Sequence, residues 1–125
     1  MHRSRLGVVL IDVAEAEHDK ALAFWTGALG AKTTQGKKYP AYHAFSGPGL
    51  PLELLVQRVC SASRVHLDIQ TDDVRAEVAR LEAAGAQKVE FIDEWQVMRD
   101  PAGLLFCVIP VPADALTDAN SVAWP

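Results

Sequence analysis

The feature that most constrains this chain is that it repeats itself. Ser4-Arg-Leu-Gly-Val-Val-Leu10 lines up with Ser63-Arg-Val-His-Leu-Asp-Ile69, Ala28-Leu-Gly-Ala-Lys32 with Ala83-Ala-Gly-Ala-Gln87, and Gly49-Leu-Pro-Leu-Glu-Leu-Leu55 with Gly103-Leu-Leu-Phe-Cys-Val-Ile109. Three matches in the same order describe one unit written twice, a pseudo-twofold domain rather than a longer solenoid. In these matches His66 stands where Gly7 stands, and Cys107 where Glu53 stands.

Each unit reads β-α-β-β-β. Residues 5–11 are a nearly unbroken apolar run that predicts a strand covered on both faces. From Ala16 to Leu29 the apolar residues Leu22, Trp25 and Leu29 recur at helical spacing, and Gly30 closes the helix. Three strand-like runs follow at residues 31–35, 39–45 and 50–59, separated by Gly36-Lys-Lys and Ser46-Gly-Pro-Gly49. After Cys60-Ser-Ala-Ser63 the pattern restarts with a strand from Arg64 to Gln70. Thr71-Asp-Asp73 supplies helix-capping oxygens. The second helix gets a buried stripe of Val74, Val78 and Leu81, and a wet face of Arg75, Glu77, Arg80 and Glu82. Strands at 87–92, 95–98 and 104–109 complete the unit.

The expectation is therefore an α+β fold in which two βαβββ modules, about 5–59 and 64–110, form a curved sheet around a central cleft. Residues 1–110 make the domain and 111–125 a peripheral C-terminal tail. At 125 residues, half of them apolar, the chain is long enough for one core or two small ones.

Charge and cysteine content exclude several classes of function. A net charge of -4 with scattered Lys and Arg gives no field for phosphates, so no nucleic acid is expected. Arg3 and Arg5 before Gly7-Val-Val-Leu-Ile11 imitate a signal peptide, but Asp12 breaks the run too early for a membrane span. Cys60 and Cys107 lack CxxC spacing and read as reduced thiols of a cytoplasmic protein. There is no Ser-His-Asp arrangement and no glycine-rich phosphate loop.

Strand alternation selects the chemistry. His66, Asp68 and Gln70 share one face, Leu67 and Ile69 the other, so the histidine side meets a cavity or water. Glu53 sits in an otherwise apolar strand, where it is a ligand, an outward charge or a partner of Arg58 or Arg64. Cys107 lies in the apolar run Leu104–Ile109, either a buried small hydrophobe or a soft ligand. Tyr42 and Trp95 are candidates to line a cleft; Trp25, on its helical stripe, belongs to the core. His18 and His43 carry no motif.

Phe24-Trp25 with Leu29-Gly30 after the first strand, His66-Leu-Asp-Ile69 opening the second unit and Asp100-Pro-Ala-Gly103 before the last strand resemble the vicinal oxygen chelate superfamily. That group includes glyoxalase I, bleomycin resistance proteins and extradiol dioxygenases, and the chain is most similar to glyoxalase-like domain proteins. In its metal-using members each unit gives one ligand from its first strand and one from its last. Carried over, these positions are Gly7, Glu53, His66 and Cys107, of which only His66 and Glu53 are usual ligands. The resemblance implies a small organic molecule as partner, a homodimer, and no resident cofactor, with a divalent metal on His66 and Glu53 as the alternative. It leaves open a binding module without a complete metal site, or a metal-dependent or acid-base enzyme using His66 and Glu53.

Overall fold

The computed structural model describes all residues, Met1–Pro125. It is an α+β protein of nine strands and two α-helices, and the chain divides into two compact units, Val8–His66 and Leu67–Pro125 together with Met1–Gly7.

In the first unit, strand β1 (His2–Ala14) contributes its residues from Val8 onward. A 3-10 turn over Glu15–Glu17 leads into α1 (His18–Leu29), followed by β2 (Lys32–Gln35), β3 (Tyr42–Ser46) and β4 (Glu53–Val59). The strand order is β2-β3-β4-β1, with β1 and β4 parallel and the others antiparallel. A parallel pair needs a long crossover, which α1 and the β2–β3 hairpin supply. Gly30 ends α1 at φ 59°, a left-handed geometry that glycine adopts without penalty. The α1 side of the sheet buries Val13, Phe45 and Val56, with Ala31 beneath them, against Leu22, Trp25 and Leu29. Val8, Leu10 and Asp12 alternate onto the other side and are also buried.

This corrects the sequence reading of β1, which stopped at Ile11. The strand runs on to Ala14, because Asp12 is part of it: its carboxylate, 0 % exposed, is held by partners and does not end the element.

The second unit repeats the plan with β5 (Arg64–Thr71) from Leu67, α2 (Val74–Ala83), β6 (Gln87–Ile92), β7 (Trp95–Arg99) and β8 (Leu105–Pro110). Its order is β5-β8-β7-β6, with β5 and β8 parallel. Asp73 caps α2 as expected, accepting the Ala76 N–H at 2.9 Å. Val78, Met98, Phe106 and Val108 form its core against Leu67, Ile69, Val74 and Leu81.

Two features depart from expectation. Glu77, placed on the wet face of α2 by its spacing, is fully buried. Its Oε2 pairs with His2 Nε2 at 2.7 Å, and Arg80 donates to both carboxylate oxygens at 2.9 and 2.7 Å. The cover comes from the C-terminal segment. Residues 111–125 form a 3-10 turn (Ala113–Ala115) and a short strand, β9 (Val122–Trp124), which pairs antiparallel with His2–Ser4. The Trp124 indole donates to Ser4 Oγ at 2.8 Å, and the Arg80 guanidinium lies 3.8 Å from its ring centroid.

Candidate functional site

The polar group that organises the first unit is Asp12. Its Oδ2 accepts from His66 Nδ1 at 2.5 Å and from Arg64 Nε at 3.3 Å, while Oδ1 is buried without a hydrogen-bond partner. A buried carboxylate is tolerated when it is charge-paired in this way. Its contact with Nδ1 fixes the ring orientation and sets the tautomer, since a hydrogen on Nδ1 leaves Nε2 as the acceptor. Strand alternation delivers Asp12 to the sheet face away from α1, and His66, itself buried, meets it there. Sequence reasoning missed Asp12. The available signal was a single carboxylate inside an apolar strand, which demands a partner.

The ladder positions the other candidates. Glu53 pairs in register with Val8, and Gln57 with both Asp12 and Tyr42. Glu53 therefore shares the Asp12 face but stands four residues away from its level, about 13 Å of strand, and is exposed. Neither arginine offered as its partner is so engaged: Arg64 reaches Asp12, and Arg58 reaches His18. Tyr42 lies on the Asp12 row, its ring edge-on to Tyr39 at 5.9 Å. In the second unit Asp68 is the cross-strand neighbour of Cys107, and Trp95, half-buried, begins β7 just after the tight turn at Asp93.

Gly7 is glycine for a local reason. A Cβ there would fall 2.2 Å from the Gln70 side chain, which Arg5 holds by a 2.8 Å hydrogen bond from its Nε. A ligating side chain at this position would have to displace Gln70 from that hydrogen bond. The ladders also pair Val8 with Glu53 and Leu67 with Phe106, one residue out of step with the sequence matches that set Gly7 against His66 and Glu53 against Cys107. The residues present therefore do not fit the four-position metal set of the metal-using relatives.

One helix packed on a four-stranded sheet, repeated, with its polar pair on the strand face opposite the helix, defines a glyoxalase-type α+β domain. The chain belongs to the glyoxalase-like domain family, whose model matches residues 8–109, and so to the vicinal oxygen chelate superfamily. Solved structures share the fold at low identity. A hypothetical protein, BH1468, from Bacillus halodurans C-125 is 13% identical with a TM-score of 0.62, over 91% of this chain and 99% of that one. Methylmalonyl-CoA epimerase from Mycobacterium tuberculosis is 17% identical with a TM-score of 0.59, over 88% and 90%. A Mn(II)-bound glyoxalase from Novosphingobium aromaticivorans is 21% identical with a TM-score of 0.59, over 86% of this chain and 40% of that one. No curated protein sequence matches. No helix is long and apolar enough to cross a membrane.

Proposed function

We propose that this protein binds a small organic molecule, with His66 as its polar anchor and Asp12 as the residue that positions it. The observation that carries this reading is the 2.5 Å contact between Asp12 and His66 Nδ1. Oriented by Asp12, the His66 imidazole is the group that addresses a ligand, as hydrogen-bond partner or as acid-base group. Tyr42, in register with Gln57 and Asp12, is the further contact of this reading in the same unit. The binding is of the carrier or resistance-protein kind, independent of metal, because Gly7 contributes no ligand and Glu53 stands well along the strand from Asp12. A homodimer and a cytoplasmic setting complete the proposal; the two cysteines are unpaired and Cys60 is exposed, as suits a reducing compartment.

The second reading is an enzyme in which His66 and Glu53 hold a divalent metal or act as an acid-base pair. It is favoured by the side that Glu53 shares with Asp12, and by the Mn(II) in the glyoxalase of the same fold. Calorimetric titration separates the two, using a panel of small organic acids and thioesters that includes methylmalonyl-CoA, and Mn(II) alone as a separate titrant. The binding reading expects an organic ligand whose affinity falls at least roughly tenfold in both His66→Gln and Asp12→Asn, the loss of one charge-assisted hydrogen bond. Stoichiometric Mn(II) binding abolished by Glu53→Gln would replace it with the metal reading, and ligand affinity indifferent to His66→Gln would sink both.

A further inference from the structure

A second polar cluster lies in the first unit, on the α1 side of the same strands. His18, the first residue of α1, is 2 % exposed, and its ring centroid lies 5.0 Å from that of His43 on β3. His18 Nδ1 is 3.1 Å from Asp19 Oδ1 and 3.3 Å from Arg58 Nη2 on β4. One nitrogen cannot satisfy both neighbours. Toward Arg58 it must offer a lone pair; toward Asp19 it must carry a hydrogen. His18 Nε2 and His43 Nδ1 are both buried with no hydrogen-bond partner.

These facts divide the protonation states. A neutral His18 accepts from Arg58 and ties the start of α1 to β4. A protonated His18 gives Nδ1–H to Asp19 but loses the Arg58 contact and sets a cation against the guanidinium, which is unfavourable for the packed arrangement; its Nε2–H is stranded in a buried place in either state. The positive end of the α1 dipole opposes a cation there as well.

We infer that His18, His43 and Arg58 form an acid-responsive latch, which fastens the first turn of α1 to β3 and β4 while the imidazoles are neutral and releases it when they are protonated. The charged and titratable groups facing the cluster are His18 and Asp19 from α1, His43 from β3 and Arg58 from β4; β1 presents the apolar Ile11 and Val13. Burial, then the charges of His18 and Arg58, hold the His43 pKa below its ordinary 6.5, with Asp19 pulling it up. A histidine whose folded pKa is depressed binds fewer protons folded than unfolded, so stability falls as pH drops through about 6.5 and below.

The latch sits behind the row that carries Asp12. His43 and Arg58 are the chain neighbours of Tyr42 and Gln57, and Tyr42, Gln57 and Asp12 are in register on the opposite face. Its release disturbs the strands beneath the Asp12–His66 pair. The inference does not depend on that pair binding a ligand.

Histidine resonances and amide protection, measured by NMR on the full chain from pH 7.5 to 5, test it. The expected result is that His43 titrates below 6.5 and that intrinsic-rate-corrected protection of the first turns of α1 drops roughly tenfold or more in step, the equivalent of one pKa unit, while α2 keeps its protection. Asp19→Asn, at an exposed position, removes the negative charge that favours the protonated rings and moves the release to lower pH. His43→Phe shrinks its amplitude. Flat α1 protection across the range, or a midpoint unmoved by Asp19→Asn, overturns the latch.

Discussion

Both helices cover a buried ionisable residue, and the two arrangements are opposites. Under α2, Glu77 has every demand met: Arg80 donates to both its oxygens, His2 meets one of them, and Trp124 stacks over Arg80. Under α1, His18 has one nitrogen claimed by two incompatible neighbours and another with none. The same βαβββ plan thus carries a satisfied network in one unit and a frustrated one in the other. A satisfied buried network resists change because breaking it leaves unpaired charge. A frustrated one has little to lose and responds to a single proton.

The strongest way to break this contrast is Glu77→Ala. It leaves Arg80 and His2 facing a void, and removing one partner of a buried ion pair costs about 3–5 kcal/mol; the expected outcome is a large fall in the urea midpoint at pH 7. The two networks should also part in acid. Burial pushes the Glu77 carboxyl up, but hydrogen bonds from Arg80, His2 and Ser4 outweigh it and hold the pKa below its ordinary 4.5. A carboxylate with a depressed folded pKa stabilises the fold above its unfolded value and loses that contribution as pH falls through the lower folded one. The wild-type stability profile should therefore show an acid loss from about 6.5 that depends on His43, and a separate one below 4.5 that disappears in Glu77→Ala.

Trp124→Ala sharpens the comparison at intermediate cost. It removes the hydrogen bond to Ser4 and the ring under Arg80, together about 2 kcal/mol, and opens the Glu77 network to water. In denaturant titrations this variant should lie between wild type and Glu77→Ala. A wild-type midpoint would mean that β9 contributes nothing to the network.

That network also marks the limit of what the chain discloses by itself. The order of elements was legible, because hydrophobic spacing and glycine positions are local signals; β6 spans Gln87–Ile92, as its pattern predicts. The role of Glu77 was not, since three of its neighbours in the buried network, His2, Ser4 and Trp124, come from the two ends of the chain, and helical spacing reports only which way a residue points. His66 stood out through the repeat, whereas Asp12 did not, because a carboxylate after five apolar residues looks like a strand end until its partner, 54 residues on, is known. A register error of one residue hid the reason for Gly7. Sequence matching aligns similar letters, while a ladder aligns hydrogen bonds, and a one-residue slip exchanges the faces of a strand.

The smallest effect expected concerns the helix starts. Asp73 accepts the Ala76 N–H, in an extended conformation at φ -146° and ψ 94°, whereas Glu17 before α1 is already helical at φ -106° and ψ 0° and makes no side-chain cap. A capping side chain acts only from a non-helical residue, so Asp73→Ala should cost about 1 kcal/mol. Glu17→Ala should stay within about 0.5 kcal/mol, as its remaining partner is the surface pair with Lys20 at 3.8 Å. Paired urea titrations at pH 7.5 read both. The difference follows from the latch: α1 begins at His18, whose contact with Arg58 holds the first turn, so the cap that α2 requires is missing where a side chain from β4 replaces it. Equal losses in the two variants would show that α1 is held at its start by Glu17 after all, and that the His18 contact is incidental to it.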